Sequence, residues 1–282
     1  VVWATTVGSV LGPNLAGPAD DAGRALGLPA LGGAFVLSVL AFAVVAAGAL
    51  LLLRPDPLLL ARRLATGDGP LQPAPRTGTP AALRAVWATP GGRLGLCAVV
   101  VSHSVMVGLM VMTPVHMGAG SGGTEGTTLR LIGLVISVHV AGMYLFSPAV
   151  GWLADRAGRS ATVAVGGLLL LLAGLVAGTA PPGAAVQLGI GLFLLGLGWS
   201  CGLVAGSTLV TEAVPAAVRP TAQGATDLLM GLGAAVAGAV GGPLLAVGGF
   251  RLVAVAAAVL VLPLAAVWAG SRRSLLPATP GR

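Results

Sequence analysis

Residues 161–180, ATVAVGGLLLLLAGLVAGTA, run for twenty positions without one charged side chain. As an α-helix, twenty residues rise about 30 Å, the thickness of the hydrocarbon core of a bilayer. Seven more stretches of this kind bring the total to eight apolar spans, at roughly 1–18, 30–53, 94–117, 131–152, 161–180, 184–210, 222–247 and 251–270. Charged residues make up 8% of the 282 positions and mean hydropathy is +0.98. A soluble domain carries about a quarter charged residues, so this chain lacks the polar surface to face water. The pattern predicts an all-α fold, a polytopic transmembrane helical bundle. The 45 glycines suit close helix packing in lipid.

The charges that remain are unevenly placed. All 15 basic residues are Arg, and no Lys occurs. Neither a phosphate-loop lysine nor a Schiff-base lysine can come from this chain, which excludes ATP hydrolysis and aldimine chemistry on its own; energy for transport would come from a gradient or a partner subunit. Richness in Ala, Gly, Pro and Val without Lys points to a GC-rich bacterial genome. Twelve Arg fall in 54–93, 153–160, 211–220 and 271–282, where the net charge is +8. The opposite ends hold Arg24, Arg130 and Arg251 against Asp20, Asp21 and Glu125, for a net of 0, and Asp227 lies inside a span. By the positive-inside bias, the Arg-rich set is cytoplasmic. The expected location is therefore the bacterial inner (plasma) membrane, multi-pass, with the C-terminus in the cytoplasm.

The net charge of +7 follows from this topology and gives no reason to expect nucleic acid. Residues 54–93, rich in Pro, Gly and Arg and without helical or strand period, read as a flexible cytoplasmic linker. Cys97 and Cys201 lie in apolar runs without metal-ligand spacing and are expected to be buried, inert thiols. The chain opens at Val1 inside an apolar run, without an initiator Met or signal peptide, as expected of a fragment whose start is lost.

Charge reappears in GWLADRAGRS, residues 151–160. Here a tight cytoplasmic turn is expected, with Gly151 and Gly158 permitting the reversal. Arg156 and Arg159 hold the membrane interface, while Asp155 pairs with an Arg or faces a helix N-terminus. In GSVLGPNLAGP, residues 8–18, Gly8 and Gly12 lie one turn apart and open a packing face, Pro13 kinks the span, and Gly17 follows. In TEAVPAAVRPTAQGATDLLMG, residues 211–231, Glu212 and Arg219 occupy a turn broken by Pro215 and Pro220, and the next helix carries Gln223 and Asp227.

Asp227 lies six residues past Thr221, roughly 9 Å along the helix. A carboxylate at that depth needs a partner or a water-filled cavity. Two readings stand: a gate bond to Arg219 or another Arg, or proton or cation coupling, including contact with a cationic substrate.

His103, Met106, Met110 and Met117 share a helical face, as do His139, Met143 and Ser147. Adaptable Met beside a titratable imidazole suits a cavity for varied apolar ligands, and ordinary interhelical packing explains the stripes equally well. Asn14, Ser102, Ser104, Tyr144 and Gln187 are further cavity candidates. Neither His116 nor any other His has metal-ligand spacing, so no metal and no cofactor is expected. No Ser/His/Asp or His/Glu grouping supports an enzyme. Gly198, Gly202 and Gly206, with Gly238 and Gly242, form small-xxx-small ridges assigned to packing, and Pro114, Pro148, Pro243 and Pro263 mark bends.

The 151–160 stretch resembles G-x-L-A-D-R-x-G-R-[KR], a cytoplasmic loop of the major facilitator superfamily. Gly151, Leu153, Ala154, Asp155, Arg156, Gly158 and Arg159 match, and Ser160 departs where a second base is usual. Residues 8–18 resemble the G-x-x-x-G-P-x-x-G-G signature of helix five in the antiporters of that family, through Gly8, Gly12, Pro13 and Gly17, with Ala16 in place of one Gly. Residues 211–231 resemble, more loosely, the loop between helices ten and eleven.

The resemblance implies helices five to twelve of a twelve-helix carrier. Residues 1–53 would be the last two helices of the N-terminal bundle and 54–93 the linker; 94–273 would be the C-terminal six-helix bundle and 274–282 a cytoplasmic tail. It further implies a secondary transporter that exports a small drug-like organic compound in exchange for protons, by alternating access. Its partners would be the lipid bilayer, the small-molecule substrate and protons, with a monomer expected for the full-length protein. An uptake carrier or facilitator of the same fold, and a transport-inactive membrane sensor or interaction protein, are the alternatives.

Overall fold

The computed structural model describes residues 2–29, 32–55, 60, 78–120 and 125–275. Among these every regular element is an α-helix. The chain divides into two compact units, residues 11–76 on one side and residues 1–10 with 77–282 on the other.

The helix α1 (Val2–Ala25), whose residues from Leu11 onward belong to the first unit, and α2 (Gly32–Leu52) form a hairpin that reverses at Gly27, where φ is +81°. The two helices cross on glycine: a Cβ on Gly23 would stand 2.6 Å from the Gly33 Cα, and one on Gly33 would collide with the Ala19 carbonyl. The first span therefore does not end near residue 18, because its helix continues through the acids expected in a loop. Asp20, 6% exposed, bonds Arg24 one turn on at 2.9 Å, and Arg24 sits at the helix end that favours a cation. On α2, Phe35, Phe42 and Leu51 are more than 70% exposed, large apolar surface that water would not tolerate.

The second unit contains α3 (Thr79–Trp87), α4 (Pro90–Ala119), α5 (Glu125–Tyr144), α6 (Ser147–Ala157), α7 (Arg159–Gly178), α8 (Ala185–Glu212) and α9 (Arg219–Leu275). The helix α3 corrects the expectation that residues 54–93 lack helical structure. Its Ala82 and Val86, four residues apart and both 0% exposed, pack with Leu96, Val210, Val214 and Ala222. Pro80 lies in its first turn, where no backbone bond is lost. Linker residues 56–59 and 61–77, and tail residues 276–282, lie outside the described residues. Two residues after α3, the Thr89 hydroxyl accepts the Gly92 N–H at 2.9 Å and caps α4.

The helix α8 packs against α4, α5 and α7, and glycine makes this possible. A Cβ on Gly198 would come within 3.0 Å of the Gly166 carbonyl on α7, and one on Gly206 within 2.9 Å of the Gly95 carbonyl on α4. Gly202 meets Ser102 in the same way, and Gly196 abuts the His139 carbonyl on α5. In lipid no hydrophobic effect drives helices together, so such close contact has to supply the association. The second predicted ridge behaves differently. A Cβ on Gly242 meets nothing within 4 Å, and on Gly238 only Val107 at 3.9 Å, so these two are not packing residues within this unit.

Among the described residues, six helical segments are long and apolar enough to cross a membrane: Gly32–Leu52, Pro90–Ala119, Arg130–Ala157, Arg159–Gly178, Ala185–Glu212 and Arg219–Ser271. The last breaks at Gly248 and Gly249, where a φ of +64° at Gly249 interrupts the helix and divides it into two limbs, 219–247 and 250–275. The helix α1 covers the expected first span but is not one of the six.

Candidate functional site

Two groups of candidate side chains emerge among the described residues, one charged and one aromatic. The charged group gathers around residues 151–160. The expected turn over 153–160 shrinks to a single residue, because α6 continues through Ala157 and α7 starts at Arg159. Gly158 alone makes the reversal, at φ +89° and ψ 152°, a backbone that disfavours any Cβ. Its carbonyl accepts both the N–H and the hydroxyl of Thr162 at 3.1 Å. Gly151 is not part of the turn; it sits within α6, and a Cβ there would meet nothing within 4 Å.

Arg159 reaches across to Glu212, with Nη2 to Oε1 at 2.9 Å. Each charge sits at the helix end it disfavours, the cation at the start of α7 and the anion at the end of α8, and the pair offsets both. At 38% and 51% exposure, such a pair contributes on the order of 1 kcal/mol or less. Arg219 Nε–H donates to the Thr211 carbonyl at 3.0 Å, satisfying one of the orphan acceptors that close α8. Arg156 lies with its guanidinium carbon 5.5 Å from the Trp152 ring centre. The expected Arg partner of Asp155 is not found: Asp155 is exposed and forms no ion pair among the described residues.

Asp227 likewise forms no ion pair there, so the expected gate bond to Arg219 or another Arg is not seen among the described residues. It is exposed on α9, with half-buried Gln223 one turn before it.

The aromatic group lies inside the second unit. The Trp199 indole on α8 donates Nε1–H to His103 Nδ1 on α4 at 2.9 Å. Tyr144, at the end of α5, meets the same indole edge-on, with centroids 5.6 Å apart and planes at 75°. Trp199 is 5% exposed, whereas His103 and Tyr144 are half-buried. Met106 and Met143 are buried in the core around this indole and half-buried Met110 packs on it, so the first two act as packing residues. Sequence reasoning passed over Trp199. The available signal was a large indole set among Gly196, Gly198 and Gly202, positions that otherwise keep α8 thin.

The other two histidines have different surroundings. His139, 0% exposed, bonds the Leu192 carbonyl through Nδ1 at 2.7 Å, and its Nε2 is buried without a partner among the described residues. His116 bonds the Ala180 carbonyl through Nε2 at 3.0 Å and stacks on Phe250 at 4.6 Å. Among the described residues no group of three His, Cys, Asp or Glu could hold a metal ion. Cys201 is buried and Cys97 half-buried, and both are free.

The helix-five-type motif falls on α1. Gly8, Gly12 and Gly17 are exposed, with nothing within 4 Å of an added Cβ, and Asn14 is exposed as well. The described helix continues through Pro13.

An apolar groove of about 380 Å³ runs between α5 and α8, lined by residues that include Leu134, Val138, Val186, Ile190 and Phe193. No polar side chain lines it, so it has no means of fixing the orientation of a solute. The His103–Trp199–Tyr144 group, by contrast, carries hydrogen-bonding atoms.

Residues 123–281 match the family model of the Major Facilitator Superfamily. The uncharacterized MFS-type transporter YdeG of Bacillus subtilis (strain 168) is 37% identical over 268 residues, covering 95% of this chain and 60% of that protein. YddS, another uncharacterized MFS-type transporter of the same organism, is 36% identical over 262 residues, 92% of this chain and 58% of its own length. The riboflavin transporter RfnT of Brucella anthropi is 30% identical over 138 residues, 49% of this chain and 33% of the transporter. The chain thus spans about three-fifths of the length of its two Bacillus relatives. With its membrane-length helices, this is a multi-pass membrane protein, and it belongs to the Major Facilitator Superfamily.

Proposed function

We propose that the chain is helices five to twelve of a secondary transporter that exports a small organic compound in exchange for protons by alternating access. Family membership supports a transporter rather than an enzyme. The observation that carries the finer reading is His103, a half-buried imidazole fixed by an indole in the apolar run of α4. A titratable group in a span is costly unless function uses it. Asp227, exposed on α9 without an ion pair among the described residues, supplies a second proton-binding group. In this reading the α6–α7 junction with Arg159, Glu212 and Arg219 steadies the cytoplasmic gate. The Arg asymmetry supports placement in the bacterial inner membrane with the C-terminus inside.

One observation favours a second reading, a carrier dedicated to one organic solute: a relative is named for riboflavin transport. The deciding experiment places the full-length protein in pyranine-loaded proteoliposomes with an acid interior. Ethidium, riboflavin and N-methylacridone are then added in turn. Export by proton exchange predicts that at least one solute alkalinises the lumen faster than in protein-free vesicles. If all three fail to do so and also fail to exchange across the membrane without a gradient, the transport-inactive alternative replaces it.

A further inference from the structure

An indole N–H can only donate. The 2.9 Å bond from Trp199 Nε1 therefore requires a lone pair on His103 Nδ1. A neutral imidazole with its lone pair on Nδ1 carries its proton on Nε2. Trp199 thus acts as a tautomer lock on the neutral ring: 5% exposed itself, it fixes a half-buried His103 as a hydrogen-bond donor through Nε2, and a proton taken up for coupling would enter at Nδ1 and break this bond. Among the described residues His103 Nε2–H has no acceptor, and its atom is not sealed from the surface as His139 Nε2 is. Tyr144, edge-on to the same indole, adds a half-buried aromatic ring with a hydroxyl that donates or accepts. None of the three side chains bears negative charge.

We propose that His103, Trp199 and Tyr144 form a recognition site for a neutral, planar heteroaromatic solute that offers a carbonyl-type acceptor to His103 Nε2–H. The inference rests on the transporter reading above and names the substrate class of that site. A lipophilic cation is the competing ligand, since aromatic faces attract cations. The fixed N–H argues against it: a donor pointing at the ligand rewards a lone pair and repels positive charge.

The matched dyes N-methylacridone and 10-methylacridinium separate the two. They share a tricyclic frame, but the first is neutral with a carbonyl and the second is a cation without an acceptor. Fluorescence anisotropy on the full-length protein in nanodiscs reads both. The expected result is saturable binding of N-methylacridone at least about tenfold tighter than of 10-methylacridinium, the worth of one well-placed hydrogen bond. His103→Leu should remove that preference, while Trp199→Phe, which frees the tautomer, should weaken it several-fold without abolishing it. Equal or tighter binding of the cation to the unmodified protein overturns the proposal and needs no variant to fold. So does an N-methylacridone affinity unchanged in His103→Leu.

The two readings fail separately. Selective dye binding with no solute-driven proton movement in proteoliposomes would end the proton-exchange reading and leave the site. Gradient-driven flux of another solute, with neither dye sensing His103, would do the reverse.

Discussion

The charged junction around Gly158 and the ring cluster around Trp199 are built in opposite ways. The junction draws Arg156, Gly158 and Arg159 from adjacent positions, faces outward, and is tied by one exposed ion pair, Arg159 to Glu212. The ring cluster draws on residues 103, 144 and 199, far apart in the chain, and sets two half-buried rings against a buried indole. Scarcity makes the junction conspicuous in a sequence of this composition, yet exposure makes its pairing weak. The cluster is inconspicuous because its parts resemble ordinary span residues, yet burial makes its hydrogen bond count for more. Conspicuous residues and strongly held geometry occupy different places.

This contrast can be broken most forcefully at the packing that brings α5 to α8. Gly196→Leu pushes a side chain into the His139 carbonyl, so the helices must separate and folded yield should collapse. Gly242→Leu, in open space, should leave the bundle intact. Size-exclusion profiles of both variants in detergent check this, and a well-folded Gly196→Leu protein would remove the close-packing account of α8. A smaller effect is expected at the junction, where Gly158→Val forces a branched residue into a positive-φ turn at about 1–3 kcal/mol. Thermal melting should show a lower midpoint. Asp227→Asn should slow gradient-driven flux about tenfold, roughly 1.4 kcal/mol of barrier, with folding unaffected; an undiminished rate would strip Asp227 of any coupling role. Least of all, Arg159→Ala should shift the melting midpoint by the equivalent of under about 1 kcal/mol.

Much of the architecture was legible because hydrophobic length is a strong signal: the spans at 94–117, 161–180, 184–210 and 251–270 reappear, with ends shifted by a few residues, as α4, α7, α8 and the second limb of α9. What the sequence concealed has physical causes. In α3 the only cue was two small apolar residues, Ala82 and Val86, whose partners lie on distant helices. A glycine ridge looks the same in sequence whether or not a neighbour fills it, which is why Gly202 and Gly242 read alike and behave differently. For Asp155, in its turn, and Asp227, inside a span, an Arg partner was one of two readings that the sequence left open. Both are instead exposed and form no ion pair among the described residues. At the site itself, His103 and Tyr144 were legible as polar groups on apolar runs. Their link was not, because Trp199 counts as one more large apolar residue until its N–H finds an acceptor.

The central claim is that a solute meets the proton-coupled machinery at the His103 face. Its most direct measurement is the accumulation of N-methylacridone by proteoliposomes of the full-length protein carrying an acid interior. The account predicts saturable uptake that requires the pH gradient and disappears in His103→Leu. Uptake indifferent to the gradient and undiminished in that variant would contradict it.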